Sequence, residues 1–183
     1  MTVAVASTET KLLQGVVGPV DHEGTFEGYA SLFGVADLGG DIIEAGAFTN
    51  TLNRRGAAGV RMLWQHDAAE PLGIWLSLTE DAHGLRVRGR LNAGVRRADD
   101  VRALLRNGAV DGLSIGFRTG RARREGSVRR IFQLDLWEVS IVTFPMAPGA
   151  RIFTPAPDTT LLTPHPATPL AGAIRRAAAA LHA

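Results

Sequence analysis

Apolar and polar positions alternate with a period of two along much of this chain, the signature of strands that bury one face. Val16, Val17 and Val20 precede an acidic, glycine-containing turn at 21–24, and residues 26–33 alternate from Phe26 to Phe33. Residues 37–41 are a turn by composition. Phe48 and Leu52 carry helical spacing within 46–52, which Gly56 and Gly59 terminate. Residues 60–64 form a short apolar strand running into Gln65, His66 and Asp67. Strands at 71–76 and 78–80 follow, with a turn near 81–84. Over 85–91 apolar or small residues alternate strictly with Arg86, Arg88 and Arg90, so the arginines are expected to face solvent. Val101, Leu104 and Leu105 place an apolar stripe on a helix over 98–107, stopped by Asn107 and Gly108.

Residues 111–117 hold the most unusual pattern. Leu113, Ile115 and Phe117 alternate with Gly112, Ser114 and Gly116, so one face is bulky and the other is bare except for a hydroxyl. A strand stripped in this way lets another group approach its backbone closely. A hairpin is expected around Glu125, Gly126 and Ser127, and then an extended segment from Val128 to about Pro145. Beyond Pro145 the composition changes to Pro, Thr and Ala as far as Leu170, too little apolar surface to order itself. Residues 171–183 are expected to form a short Ala-rich helix with Arg175 and Arg176 on one side. The chain therefore divides into one domain at 10–152 and a tail at 153–183. Its class is mainly β with flanking helices (α+β), a closed or strongly curved β-barrel.

Bulk properties narrow the function classes. A chain of 183 residues with 45% hydrophobic and 21% charged residues can bury the core of one ordinary globular domain. No stretch approaches the roughly 20 apolar residues of a membrane span. The first eleven residues lack the basic-then-apolar layout of a secretory signal. With no cysteine there is no disulfide, thiol nucleophile or thiolate metal site, which fits a cytoplasmic protein. Basic residues are nearly all arginine, clustered at 96–97, 121–124 and 129–130. Interspersed acids and scarce aromatics make these a solvated surface rather than a nucleic-acid footprint.

Serine hydrolysis needs a hydroxyl, an imidazole to take its proton, and a third group that orients the imidazole. Ser114 offers the hydroxyl. Of five histidines, His22 and His83 lie in turn-like segments and His165 and His182 in the tail, whereas His66 ends an apolar strand. Glu138 stands in the apolar run 134–144, whose only other acid is Asp135 near its start. By strict alternation it shares a face with Leu136, Ser140 and Val142, opposite Trp137, Val139 and Ile141. An acid among hydrophobes is either paired or at an edge. Asp67 competes for the third role, but as the neighbour of His66 on a strand it points to the opposite face.

Several segments in order then resemble the prohead maturation proteases of tailed phages and phage-like gene transfer particles, over residues 12–152. They are Gly28-Tyr29-Ala30-Ser31-Leu32-Phe33, then Asp37 with Gly40-Asp41-Ile42-Ile43 and Gly46-Ala47-Phe48. Next come Leu63-Trp64-Gln65-His66-Asp67 with Pro71-Leu72-Gly73, and Gly112-Leu113-Ser114-Ile115-Gly116-Phe117. The last is the run from Leu136-Trp137-Glu138 to Pro145-Met146-Ala147-Pro148, where many members carry Ala-Asn-Pro. The resemblance implies a β-barrel like that of the herpesvirus assemblins. It also implies Ser114 as nucleophile, His66 as general base and Glu138 as orienting acid, with oxyanion donors from an arginine-rich loop after Phe117. The substrates implied are the major capsid protein, through its scaffold segment, and the protease itself, within the immature capsid in the host cytoplasm. A homo-oligomer fits this setting; no cofactor, metal, membrane or nucleic acid is expected. Three other readings compete: a metal hydrolase using His66, Asp67, Asp37 and Asp41, a catalytically inactive capsid-assembly protein, and an arginine-based nucleic-acid binder.

Overall fold

The computed structural model describes residues 19–153. Residues 16–17, the Pro/Thr/Ala-rich stretch beyond Phe153 and the helix expected at 171–183 lie outside that range, whereas residues 146–153, expected to lack order, are held in the fold with Ala150 and Ile152 buried. Eight strands and two helices follow in the order β1 Thr25–Leu32, β2 Asp41–Ile43, α1 Thr49–Arg55, β3 Arg61–Trp64, β4 Asp67–Glu80, β5 Gly84–Leu91, α2 Arg96–Arg106, β6 Gly112–Glu125, β7 Val128–Val142 and β8 Ile152–Phe153. They form one sheet in the order β2-β7-β3-β4-β5-β1-β8, with β6 paired along β7. The sheet curls so that β8, at one end, reaches the start of β6. β8 pairs with β1 through Gly28 and Ile152. Beside it Leu113 N donates to Ala150 O at 2.9 Å, and Ile152 N donates to Asp111 O at 2.7 Å. The expected curved, mainly β architecture is what forms. Two-residue β8, which joins the seam, was too short to announce itself by periodicity.

Alternation dictates what fills the inside. Phe26, Leu72, Trp75, Leu85, Val87, Leu113, Leu136, Val139 and Ile141 converge in a single buried cluster. Arg86, Arg88 and Arg90 of β5 point out, as expected. The helix expected at 98–107 starts two residues earlier. Its Ala98, Val101 and Leu105 are buried, and it packs on β4 and β5.

The helix expected at 46–52 is shifted to Thr49–Arg55, because Gly46 adopts a positive φ in the preceding turn. Its role is to complete β7. That strand pairs in parallel with β2 at residues 129–131 and with β3 at 138–141, which leaves a gap between them. Helix α1 fills the gap: Leu134 N donates to Ala47 O, Leu136 N donates to Thr51 Oγ1, and the Thr51 hydroxyl donates to Leu134 O. A buried strand edge thereby keeps its backbone groups satisfied.

Two expectations are corrected here. Strict alternation along β7 puts Trp137 with Val139 and Ile141, but the strand carries a bulge. Gly116 registers with Glu138 and Phe117 with Leu136, so Trp137 is the unpaired extra residue. Leu136 is fully buried while Trp137 is 44% exposed, so the two faces exchange at this point. The arginine-rich stretch after Phe117 is not a loop either. It continues β6 as a ribbon against β7 to a hairpin turn at Gly126, whose φ is 61°.

Candidate active site

The β6–β7 register places Ser114 opposite Ser140 and Gly116 opposite Glu138. Directly opposed residues project to the same side of a sheet, so Glu138, two residues from Ser140 in an unbroken register, lies on the face that carries Ser114. The carboxylate then lies across the neighbouring strand. A Cβ at Gly116 would fall 2.0 Å from Glu138 Oε1, and one at Gly112 would fall 2.5 Å from Val142 O and 2.9 Å from Pro145. The bare face of β6 is therefore occupied by Glu138 and the Pro145 turn, whereas its glycines suggested space for an incoming imidazole or peptide.

His66 comes from the turn joining β3 to β4. Trp64 pairs with Asp67, which leaves Gln65 and His66 as the two central residues, with φ values of 51° and 64°. This is the pattern of a type I′ hairpin turn, ordinarily built from Asn and Gly. Non-glycine residues held there cost on the order of 1–3 kcal/mol each and persist only where the surroundings fix them. The turn delivers the imidazole to Glu138, with Nδ1 lying 2.7 Å from Oε1. The other carboxylate oxygen accepts a short hydrogen bond from the hydroxyl of Ser140, which is completely buried. The hydrogen bond between His66 and Glu138 holds the His66 pKa above its ordinary value, against the opposing effect of partial burial. With Nδ1–H committed to the carboxylate, Nε2 is left as the free basic nitrogen.

Asp67 is not part of this arrangement, since its carboxylate accepts from the backbone N–H of Ala69 at 2.8 Å. The four residues of the metal reading do not converge: Asp41 is ion-paired with Arg129, and Asp37 accepts the N–H groups of Gly39 and Asp41 within its own turn. Among the described residues Ser114 is 6% exposed and its hydroxyl makes no hydrogen bond, to His66 or to any other group. Resting serine hydrolases often hold this contact loosely and tighten it on substrate. Ser114 opens on a cleft of about 200 Å³ bordered by Ala30, Leu32, Val35, Ile115, Phe117 and Met146. Ser140 was missed at the sequence level, although its two-residue spacing from Glu138 in an apolar run was a usable signal. Gln65 was missed too, and nothing in its neighbours marked it.

A histidine–carboxylate pair on the face of a cleft-lining serine fits several hydrolase families, and residues 16–160 match the family described as Caudovirus prohead serine protease. The chain belongs to that family. Among prohead proteases, that of Enterobacteria phage HK97 is 43% identical over 136 residues, which cover 71% of this chain and 59% of that relative's length. The bacteriophage T4 capsid assembly protease shares the fold, with a TM-score of 0.51 at 18% identity over 66% of this chain and 82% of that one. The varicella-zoster virus protease aligns at a TM-score of 0.46 and 12% identity, covering 70% and 62%. The expected family is therefore the one found.

Proposed function

We propose that this prohead-protease-family chain is a serine endopeptidase that trims the scaffold region of the major capsid protein, and itself, inside the immature capsid in the host cytoplasm. The observation that carries the reading is the His66–Glu138 contact, held on the face of β6 that bears Ser114. In the proposed sequence, Ser114 Oγ bonds to the scissile carbonyl carbon as its proton passes to His66 Nε2. Collapse of the tetrahedral intermediate breaks the C–N bond, and His66 returns the proton to the departing amine. Water then releases the acyl group from Ser114 by the same proton transfers. Glu138 keeps Nδ1 protonated and stabilises the imidazolium, and Ser140 holds Glu138.

The cleft beside Ser114, bordered by apolar side chains together with Ser31, Asp37 and Asp41, supports a peptide as substrate. Co-expression with the cognate capsid protein tests the reading, wild type against Ser114→Ala. Trimming is expected only with the wild type, and trimming by Ser114→Ala removes Ser114 from the role. The lack of a Ser114–His66 hydrogen bond favours one rival, an assembly protein without catalysis. That rival predicts identical, untrimmed capsid protein in both arms.

A further inference from the structure

The turn that carries His66 is tied to β7 by a side chain with no assigned role. Gln65 and His66 are the only non-glycine residues at positive φ among the described residues. Histidine visits that conformation more readily than most residues, but Gln65 is not a residue type that favours it, so something other than intrinsic preference holds Gln65 in the turn. Gln65 supplies three ties. Its backbone N–H donates to Ile141 O at 3.0 Å, and its Nε2 donates to Thr143 Oγ1 at 2.7 Å. Its Oε1 accepts from Thr143 N at 3.4 Å. Thr143 is the first residue after β7, the strand that carries Glu138. One strand thus fixes both ends of the His66–Glu138 contact, the carboxylate directly and the imidazole through the Gln65 amide.

We infer that Gln65, clamped by Thr143, is a positioning residue that holds His66 in hydrogen-bonding register with Glu138 on the Ser114 face. The inference rests on the proposed role of His66 as base. Gln65, His66 and Thr143 are all exposed, so hydrophobic burial does not account for the clamp. The charged groups near the imidazole are Glu138, the adjacent Asp67, and Arg61, which registers with Glu138 on β3. Asp67 is engaged with Ala69 N, and Arg61 reaches back to Ala58 O. Glu138 is therefore the group whose distance from His66 the clamp controls.

The test compares Gln65→Ala, Thr143→Val, the double variant and Thr143→Ser, which retains the hydroxyl. Two quantities are read: kcat and KM on a capsid-derived peptide, and the His66 titration midpoint by NMR. Gln65→Ala and Thr143→Val are each expected to lower kcat by about 10- to 100-fold, the scale of a misplaced catalytic group, with KM within about twofold. Both should move the His66 midpoint down towards its ordinary value. The double variant should be no worse than either single one, and Thr143→Ser should keep wild-type behaviour. An unchanged midpoint and kcat in Gln65→Ala overturns the clamp. So does additive loss in the double variant, or loss that tracks melting temperature alone. The NMR arm needs no activity, so full activity in His66→Ala would sink the catalytic reading while the midpoint still decides the clamp.

Discussion

The two halves of the β6–β7 ladder share strands and partners yet treat their acids in opposite ways. In the half beyond the bulge, carboxylates meet guanidinium groups: Arg130 reaches both Glu44 and Glu125, Arg129 pairs with Asp41, and Asp135 holds Arg54 and Arg55. In the half before it, the one carboxylate, Glu138, meets an imidazole and a hydroxyl. Arginine stays charged at any pH a protein tolerates, so its pairs are static. A carboxylate held against histidine instead tunes a group that gains and loses a proton near neutrality. The boundary is Trp137, on whose ring the guanidinium groups of Arg55 and Arg118 both stack, at 5.0 and 4.9 Å. One ladder is thus structural at one end and, in the proposed mechanism, serves proton transfer at the other.

The contrast can be broken most sharply at Glu138. Glu138→Gln keeps the shape but removes the charge that stabilises the imidazolium. Its kcat should fall by about 10³- to 10⁴-fold, the scale seen when an orienting acid becomes an amide, measured on a capsid-derived peptide. The pH profile moves as well. Because the His66 pKa is raised in the wild type, activity should fall as pH drops through a midpoint above about 6.5. In Glu138→Gln that midpoint should return towards about 6.5, and an unmoved midpoint would separate Glu138 from the base. The linkage has the opposite sign for stability. The pair stabilises the fold below the unfolded histidine pKa, and this is lost as pH rises through the raised folded value. With the His66 side chain 45% exposed, that contribution is small.

Gly116→Ala comes next in size. Its Cβ would collide with the Glu138 carboxylate, so the His66–Glu138 contact must shift, and kcat should drop by about 100-fold while the melting temperature changes little. The smallest effect belongs to the arginine half. Glu44→Gln breaks one partly buried pair with Arg130, for about 1 kcal/mol in denaturant unfolding, with peptidase activity unchanged. A large activity loss there would erase the distinction between the two halves.

Much of this was legible in the residues. Strict alternation in β5 and the Gly/Ser pattern of β6 reported their faces directly, because period two survives wherever a strand runs unbroken. Ser114, His66 and Glu138 could be nominated by residue type and position, and the structure brings His66 and Glu138 together on the Ser114 face. What periodicity could not supply was the bulge at Trp137, which exchanges the faces of β7 for Leu136 and the residues before it, while Glu138 keeps the face that alternation gives it beside Ser140. Register between strands distant in sequence also carried no local signal. For that reason the sequence showed only that some group approaches Gly116 closely, and not that the group is the Glu138 carboxylate. The Gln65–His66 turn was hidden for a different cause: Gln65 has no preference for its conformation and is hydrogen-bonded to Thr143, 78 residues away.

If Ser114 is made nucleophilic by a histidine held on Glu138, it should react with a fluorophosphonate probe, and peptide mass spectrometry locates the adduct. The wild type should carry the phosphonyl adduct on Ser114, with Ser31 and Ser140 unlabelled, and His66→Ala should lose it. An adduct on another serine, no adduct at all, or labelling of Ser114 that is indifferent to His66→Ala would contradict the account.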